Sequence, residues 1–350
     1  MNLDGNNLKE KINDEINSLP EEIPEALHHI SQGDYQFAFN ILNYCIKQGY
    51  GAGTPYCLQG YCLSQTGNEV EAINLCSKGK TIGINDLGSW YYYDVMVRAL
   101  NNINNLEEAL KTVDEAIDFF IENNSPGDQS DHLARKANIL KQMAATLSRD
   151  LTKQSIAKEY ILDAIQAICE SISIFKEGWE ELDEELQAIG RIAGRLCVKS
   201  SDLPFLNHLP NISFLVEKYY TSKSLNQNII SENYNLAVDK FNEGNRMDAA
   251  RLFDIAFSHC PVISNEDRAW KAIVAYRYGV CLLKLYRIEE LSNFNNTNIE
   301  IRSAIEKIRR LWGFTIETYK SMDKNFIKEF DEQLPLSTSV RNIVEDRLMQ

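Results

Sequence analysis

Apolar positions along this chain recur every three to four residues, and no segment alternates apolar and polar at every second residue. Ile161, Ile165, Ile168 and Ile172 form one such stripe, and Ile301, Ile305, Ile308 and Trp312 form another. Tyr56, Gln59, Gly60 and Leu63 fall on one face of a helix, with Gly60 small enough to let a second helix approach. The pattern predicts an all-α protein without strands. Helices are expected over Asp131–Leu147, Lys153–Phe175, Gly178–Val198, Ile212–Tyr220 and Ile299–Met322, then over Asn325–Gln333 and Ser339–Met349.

The apolar stripes are also arranged in a recurring phrase. An apolar helix ends in Gly or Asn, a short turn follows, and an Ala opens a second apolar helix. The phrase occurs at Ala26–Leu42 (Gly33, Ala38), Tyr56–Cys76 (Gly67, Ala72), Tyr93–Val113 (Asn104, Ala109) and Leu236–Phe253 (Gly244, Ala249). Gly33, Gly67 and Gly244 stand where the first helix must stop, a place that favours a left-handed residue. Asp34, Asn68 and Asn245 follow as turn and cap residues. Ala38 and Ala72 lie 34 residues apart, and Ala72 and Ala109 lie 37 apart. A helical pair of this length cannot bury its own apolar face, so each pair is expected to stack on its neighbours.

These units resemble tetratricopeptide repeats. A fifth, degenerate copy runs from Ala275 to Leu291, with Gly279 and the turn at Arg287-Ile288. The resemblance covers residues 24 to about 120 and 230 to about 292. Glu22 and Asn233 stand in the usual aromatic slot of the first and later units. The fold it implies is an α-solenoid of stacked antiparallel helical hairpins, with irregular central helices and a C-terminal capping helix. The expected organisation is a loosely attached polar segment (1–23), repeats (24–121), longer irregular helices (131–222), repeats again (229–292) and capping helices (299–350). Two interruptions stand out: Glu122–Asp128, dense in turn formers, and a longer loop at Pro261–Arg268. Asn293–Asn298 is expected to be a linker.

Composition narrows the functional classes. The net charge of −14 disfavours a polyanionic partner such as nucleic acid. The one basic cluster, Arg302, Lys307, Arg309 and Arg310, shares its helix with Glu300 and Glu306. No stretch approaches the ~20 apolar residues of a membrane span, and the polar start is unlike a secretory leader. The eight Cys include no Cys-x-x-Cys pair and fall at apolar helix positions, so they are expected to be buried free thiols of an intracellular, cytoplasmic protein, the nucleus not excluded. Asn74–Thr81 lacks the first Gly of a phosphate loop. His28 and His29 point about 100° apart on a helix and do not share a metal. No catalytic motif occurs, so neither an enzyme nor a cofactor is expected. Gly190 and Gly194 have the spacing of a close helix crossing, within the fold or, as the alternative, in self-association.

The resemblance also implies a peptide groove lined by the first helix of each pair. Carried over position by position, its slots hold Cys57, Tyr61, Ser64 and Gln65, then Tyr91, Asp94, Arg98, Asn101 and Asn102. In the later units they hold Tyr234, Val238 and Phe241, then Tyr276 and Lys284. Amide and Tyr side chains suit a peptide backbone. Cys57, Tyr61, Asp94 and Arg98 do not form the Lys/Asn clamp with which chaperone-tail-binding repeats hold an acidic terminus. The expected function is a non-catalytic scaffold or adaptor binding a protein or peptide, basic or amphipathic, in that groove. The alternatives are a peptide-sensing regulator and a constitutive subunit of a larger assembly. The 299–322 helix is expected to cover the last repeat near Ala275–Leu283.

Overall fold

The computed structural model describes residues 8–174, 182–288 and 299–321. Its helices, in chain order, are α1 (Leu8–Ile16), α2 (Glu22–Ser31), α3 (Tyr35–Lys47), α4 (Thr54–Gln65), α5 (Glu69–Ile82), α6 (Asp86–Asn102), α7 (Leu106–Glu122) and α8 (Pro126–Ser148). They continue with α9 (Gln154–Ile174), α10 (Asp183–Arg195), α11 (Ser213–Tyr219), α12 (Ser222–Asn242), α13 (Arg246–His259), α14 (Asn265–Leu285) and α15 (Ile299–Ser321). Short 3-10 turns occur at Ser200–Asp202 and Pro204–His208. Among the described residues there is no strand. The helices expected at Asn325–Gln333 and Ser339–Met349, the Asn293–Asn298 linker and the start of the Gly178 helix lie outside the described residues. Among the described residues, no helix is long and apolar enough to cross a membrane.

Two compact units emerge. The first is drawn from Met1–Thr146, Glu159–Leu186 and Phe205–Phe214, the second from Leu147–Lys158, Gln187–Pro204 and Leu215–Gln350. The central 131–222 stretch therefore contributes to both.

In the first unit, successive helices from α2 to α7 pack on their neighbours, and α4 also packs on α6. Gly60 and Gly79 allow α4 and α5 to approach. A Cβ on Gly60 would stand 2.5 Å from Cys76 Sγ, and one on Gly79 would stand 2.6 Å from the Gly53 carbonyl. The turns are left-handed where the phrase places them, at Gly33 (φ +80°), Gly67 (φ +81°) and Asn104 (φ +60°). Asp34 and Asn68 stand at the N-caps but make no side-chain cap bond there.

Two sequence expectations change here. The Glu122–Asp128 interruption is only a turn: Asn124 takes φ +50° and Pro126 opens α8, where its missing N–H costs nothing. From Leu8 onward, the described part of the N-terminal segment packs on this unit. Its polar composition hides a stripe of Leu8, Ile12, Ile16 and Leu19, and Leu8 is buried, 1% exposed, against Ala116 and Phe120.

In the second unit, α12 to α15 pack in sequence order. Gly194 lies against Asn228 of α12, where a Cβ would stand 2.6 Å from that residue's own Cβ, and its carbonyl accepts from Asn233 Nδ2 at 3.1 Å. The Gly190/Gly194 spacing thus serves a crossing inside this unit. The expected Pro261–Arg268 loop is shorter than anticipated: a reciprocal capping box between Ser264 and Asp267 starts α14 at Asn265. On α15, Ala304, Ile305, Ile308, Leu311 and Trp312 are buried with residues of α14 in one core.

All eight cysteines are free, and all but the half-exposed Cys197 are buried. Burial pushes the Cys62 and Cys169 thiols up to about 12, far from a reactive thiolate.

Candidate functional site

The richest polar arrangement lies in the first unit, on one face each of α4, α6 and α8. Tyr61 and Gln65 are one turn apart on α4, as are Asp94 and Arg98 on α6, so each pair shares a face. On α8, Asp131, Arg135, Asn138 and Gln142 step by 4, 3 and 4 along a single stripe.

Asp94 is the centre. Its carboxylate meets Arg135 at 2.7 Å and Arg98 at 3.4 Å, and Arg135 turns its other nitrogen to Asp131 at 2.8 Å. The result is an alternating ladder, Arg98–Asp94–Arg135–Asp131, with no net charge. Burial opposes the Arg135 charge, but Asp94 and Asp131 outweigh it and raise its pKa. The Arg98 guanidinium lies 5.4 Å from the Tyr61 ring centroid. Gln65 faces both terminal nitrogens of Arg98 and the Tyr61 hydroxyl, and only the amide orientation that turns its oxygen to these donors satisfies them, at 2.7, 2.9 and 3.2 Å in turn. Arg98 Nε stays buried without a partner.

Beyond the ladder, Gln142 Nε2 donates to Asn101 Oδ1 (3.0 Å) and Asn138 Oδ1 (3.2 Å). Asn102 donates to Glu69 at 2.7 Å. On the other side, Tyr61 meets Tyr91 edge-on at 5.0 Å and Tyr35 at 6.3 Å, while Trp90 meets Tyr91 at 4.9 Å. Burial pushes the Tyr61 phenol up, helped by Asp94 and opposed by Arg98; the more enclosed Tyr91 moves further in the same direction. Both stay neutral hydrogen-bonding groups across the physiological range.

Of the slots expected from the sequence, Tyr61, Gln65, Tyr91, Asp94 and Arg98 come together, and Asn101 joins through Gln142. Asn102 belongs instead to a bond with Glu69. Asp94 is not an exposed slot: it is 6% exposed and consumed by two guanidinia. Cys57 is fully buried, its Sγ 4.0 Å from the Cys76 carbonyl, because Gly60 and Gly79 draw α5 over it. Ser64 is buried and donates to Glu69 at 2.9 Å. Tyr234 and Tyr276 lie in the second unit as half-buried packing residues. Tyr234 is edge-on to Trp270 at 5.6 Å, and Tyr276 stacks on Trp312 at 6.4 Å.

The α8 half of the face, Asp131, Arg135, Asn138 and Gln142, is absent from those slots. A signal for it does exist. Asp94-x-x-x-Arg98-x-x-Asn101 recurs 37 residues later as Asp131-x-x-x-Arg135-x-x-Asn138, the same interval that separates Ala72 from Ala109.

His132 lies under the ladder, 3% exposed and 4.7 Å from the Phe120 ring. Its Nδ1 lies 2.9 Å from the Asp128 carbonyl, which can only accept, so the neutral ring carries its proton on Nδ1. Nε2 is buried without a partner. Burial lowers the His132 pKa first and the Arg135 charge lowers it further, against the opposing pull of Asp131 and Asp94. The unfolded chain therefore binds this proton more readily than the folded one. Stability from this group is complete above the unfolded value near 6.5 and is lost as pH falls through the lower, folded value. Urea midpoints measured between pH 7.5 and 5 are expected to fall more in the native chain than in His132→Phe. Parallel pH profiles would show that His132 is not the group that titrates.

No family model matches this chain, and no curated protein matches it.

Proposed function

We propose that this protein is a non-catalytic binding module: an α-solenoid of stacked antiparallel hairpins of tetratricopeptide type that holds an extended segment of a partner protein across α4, α6 and α8. The observation that carries this reading is the doubled Asp-x-x-x-Arg-x-x-Asn pattern. Its two copies interlock into a neutral ladder flanked by amides on one side and aromatic rings on the other. The left-handed turn residues, the glycine contacts between α4 and α5 and the packing of successive helices support the repeat architecture.

The chemistry suits a peptide backbone. Asn101 and Asn138 keep a donor and an acceptor lone pair each, while Gln142, whose two Nε2 hydrogens go to them, keeps its oxygen as an acceptor. Tyr61 and Tyr91 offer rigid area to an apolar or aromatic side chain at little entropic cost. Because every ladder cation already faces a carboxylate, selection by partner charge is weak. That sets the site apart from a clamp for an acidic terminus.

A displayed library of random twelve-residue peptides, selected on the full chain, supplies a probe. Titration calorimetry of an enriched peptide is expected to show roughly tenfold or greater weakening with Arg98→Ala, in line with loss of charge-assisted bonds, and a comparable loss with Tyr61→Ala. Affinity should change little between low and moderate salt. Enriched peptides that bind both variants as tightly as the native chain would place the binding face elsewhere.

A further inference from the structure

The N-terminal helix makes contacts that its position in the chain does not require. α1 packs on α6, five helices further along the chain, whereas most helix pairs of this unit are sequence neighbours; its Ile12 and Ile16 also lie against the core of α2 to α4. Three side chains on one face of α1 hold it. Leu8 enters a notch formed by Ala116 and Phe120, with Trp90, Tyr93 and Phe119 around it. Lys11 Nζ donates to Asn123 Oδ1 at 2.9 Å, at the C-terminal cap of α7. The Glu15 carboxylate accepts from the backbone N–H groups of Asp86 (3.3 Å) and Leu87 (3.1 Å), the first two residues of α6.

The notch therefore recognises three chemical groups in a fixed order. A cation meets the negative end of α7, and a carboxylate meets the positive end of α6, each matched to the helix dipole. An apolar side chain precedes both and is seated against Ala116 and Phe120 of α7, with Trp90 and Tyr93 of α6 beside it. The described residues of α1 number nine, and a helix segment of that size does not hold together alone in water. Leu8 is its single fully buried residue, and Ile12 and Ile16 are partly buried beside it. Such an element folds on its seat and is drawn from the low-stability end of the local opening spectrum. The seat lies at the N-terminal end of α6, about 18 Å along the helix from Arg98 at 1.5 Å per residue.

We propose that the notch between α6 and α7 is a docking site for an amphipathic partner helix carrying an apolar residue, a cation three residues on and a carboxylate seven residues on, with α1 as its tethered and exchangeable occupant.

The probe is a fluorescent peptide of residues 8–19 of this chain, titrated into the full-length protein by fluorescence polarisation. In Ile12→Pro, which breaks the α1 helix, and in Leu8→Asp/Glu15→Lys, which removes two of its anchors, the seat is vacated. Both variants are expected to bind the peptide at least tenfold more tightly than the native chain does. The same peptide carrying Leu8→Asp or Glu15→Lys should lose that binding. Arg98→Ala, placed in the vacated variant, should leave it unchanged, which separates this site from the α4–α6–α8 face. Equal binding to native and vacated chains, or to neither, overturns the proposal. So does loss of the whole helical circular-dichroism signal in both variants, which would make α1 a fixed part of the unit.

Discussion

Asp94→Ala is expected to destabilise the first unit by about 3–5 kcal/mol, the range for removing one partner of a buried ion pair. The carboxylate is almost wholly enclosed, and both guanidinia that depend on it are less than one-third exposed. Without it, Arg98 and Arg135 face each other across a partly dry gap, and Arg98 already has one nitrogen without a partner. Asp131, at the exposed end of the ladder, gives the contrast. Asp131→Ala should cost less than about 1 kcal/mol, because water and salt screen that pair. Replacing both buried charges, as in Asp94→Leu/Arg135→Met, should recover most of the loss. Hydrogen exchange along α6 and α8 is the suitable readout, since it reports on this unit alone. A loss under about 1 kcal/mol for Asp94→Ala would mean that solvent reaches the ladder freely.

The elements best legible in the sequence are those set by local chemistry. Gly33, Gly67 and Gly244 mark helix ends because a left-handed residue is needed there, and the structure has each at positive φ. The stripe of Ile301, Ile305, Ile308 and Trp312 marks the covered face of α15 because one helical face must leave water. What periodicity does not convey is the partner of each polar residue. Asp94 looks like a solvent-facing slot until α8 brings Arg135 beside it. Cys57 falls in a groove slot by repeat position although its chemistry favours burial, and two glycines on different helices let α5 close over it. The α8 stripe was hidden by Pro126 and Gly127, which resemble a linker although Pro suits a first helical turn. The recurring Asp, Arg and Asn pattern spans that apparent break and is a stronger guide than local composition. α1 shows the opposite case: Leu8 gains meaning only from a notch about a hundred residues away in sequence, while Ile12 and Ile16 pack on the core of α2 to α4.

Trp312→Ala is expected to cost the second unit about 3–5 kcal/mol, the usual range for emptying a large aromatic site. The indole fills the space left by Gly279, where any Cβ would run into its pyrrole edge. Its Nε1–H donates to the Tyr276 carbonyl at 3.3 Å, and its ring stacks on Tyr276. Next to it, the Thr315 hydroxyl donates to the Ala272 carbonyl at 3.2 Å, a second tie between α15 and α14. Trp312→Phe keeps much of the area but loses the indole donor, and should cost about 0.5–1.5 kcal/mol, the net worth of one hydrogen bond, since the Tyr276 carbonyl keeps its place in the α14 ladder. Gly279→Ala attacks the same contact from the other side by adding a carbon where the indole lies. Combined with Trp312→Ala, it should cost less than the sum of the two, because the clash disappears with the ring. Ending the chain at Asn298 removes the whole stripe and should lower solubility and melting temperature together. If the truncated protein melts as the full chain does and Trp312→Ala is silent, α15 contributes little to the stability of the second unit. Its apolar face would then be available to another molecule.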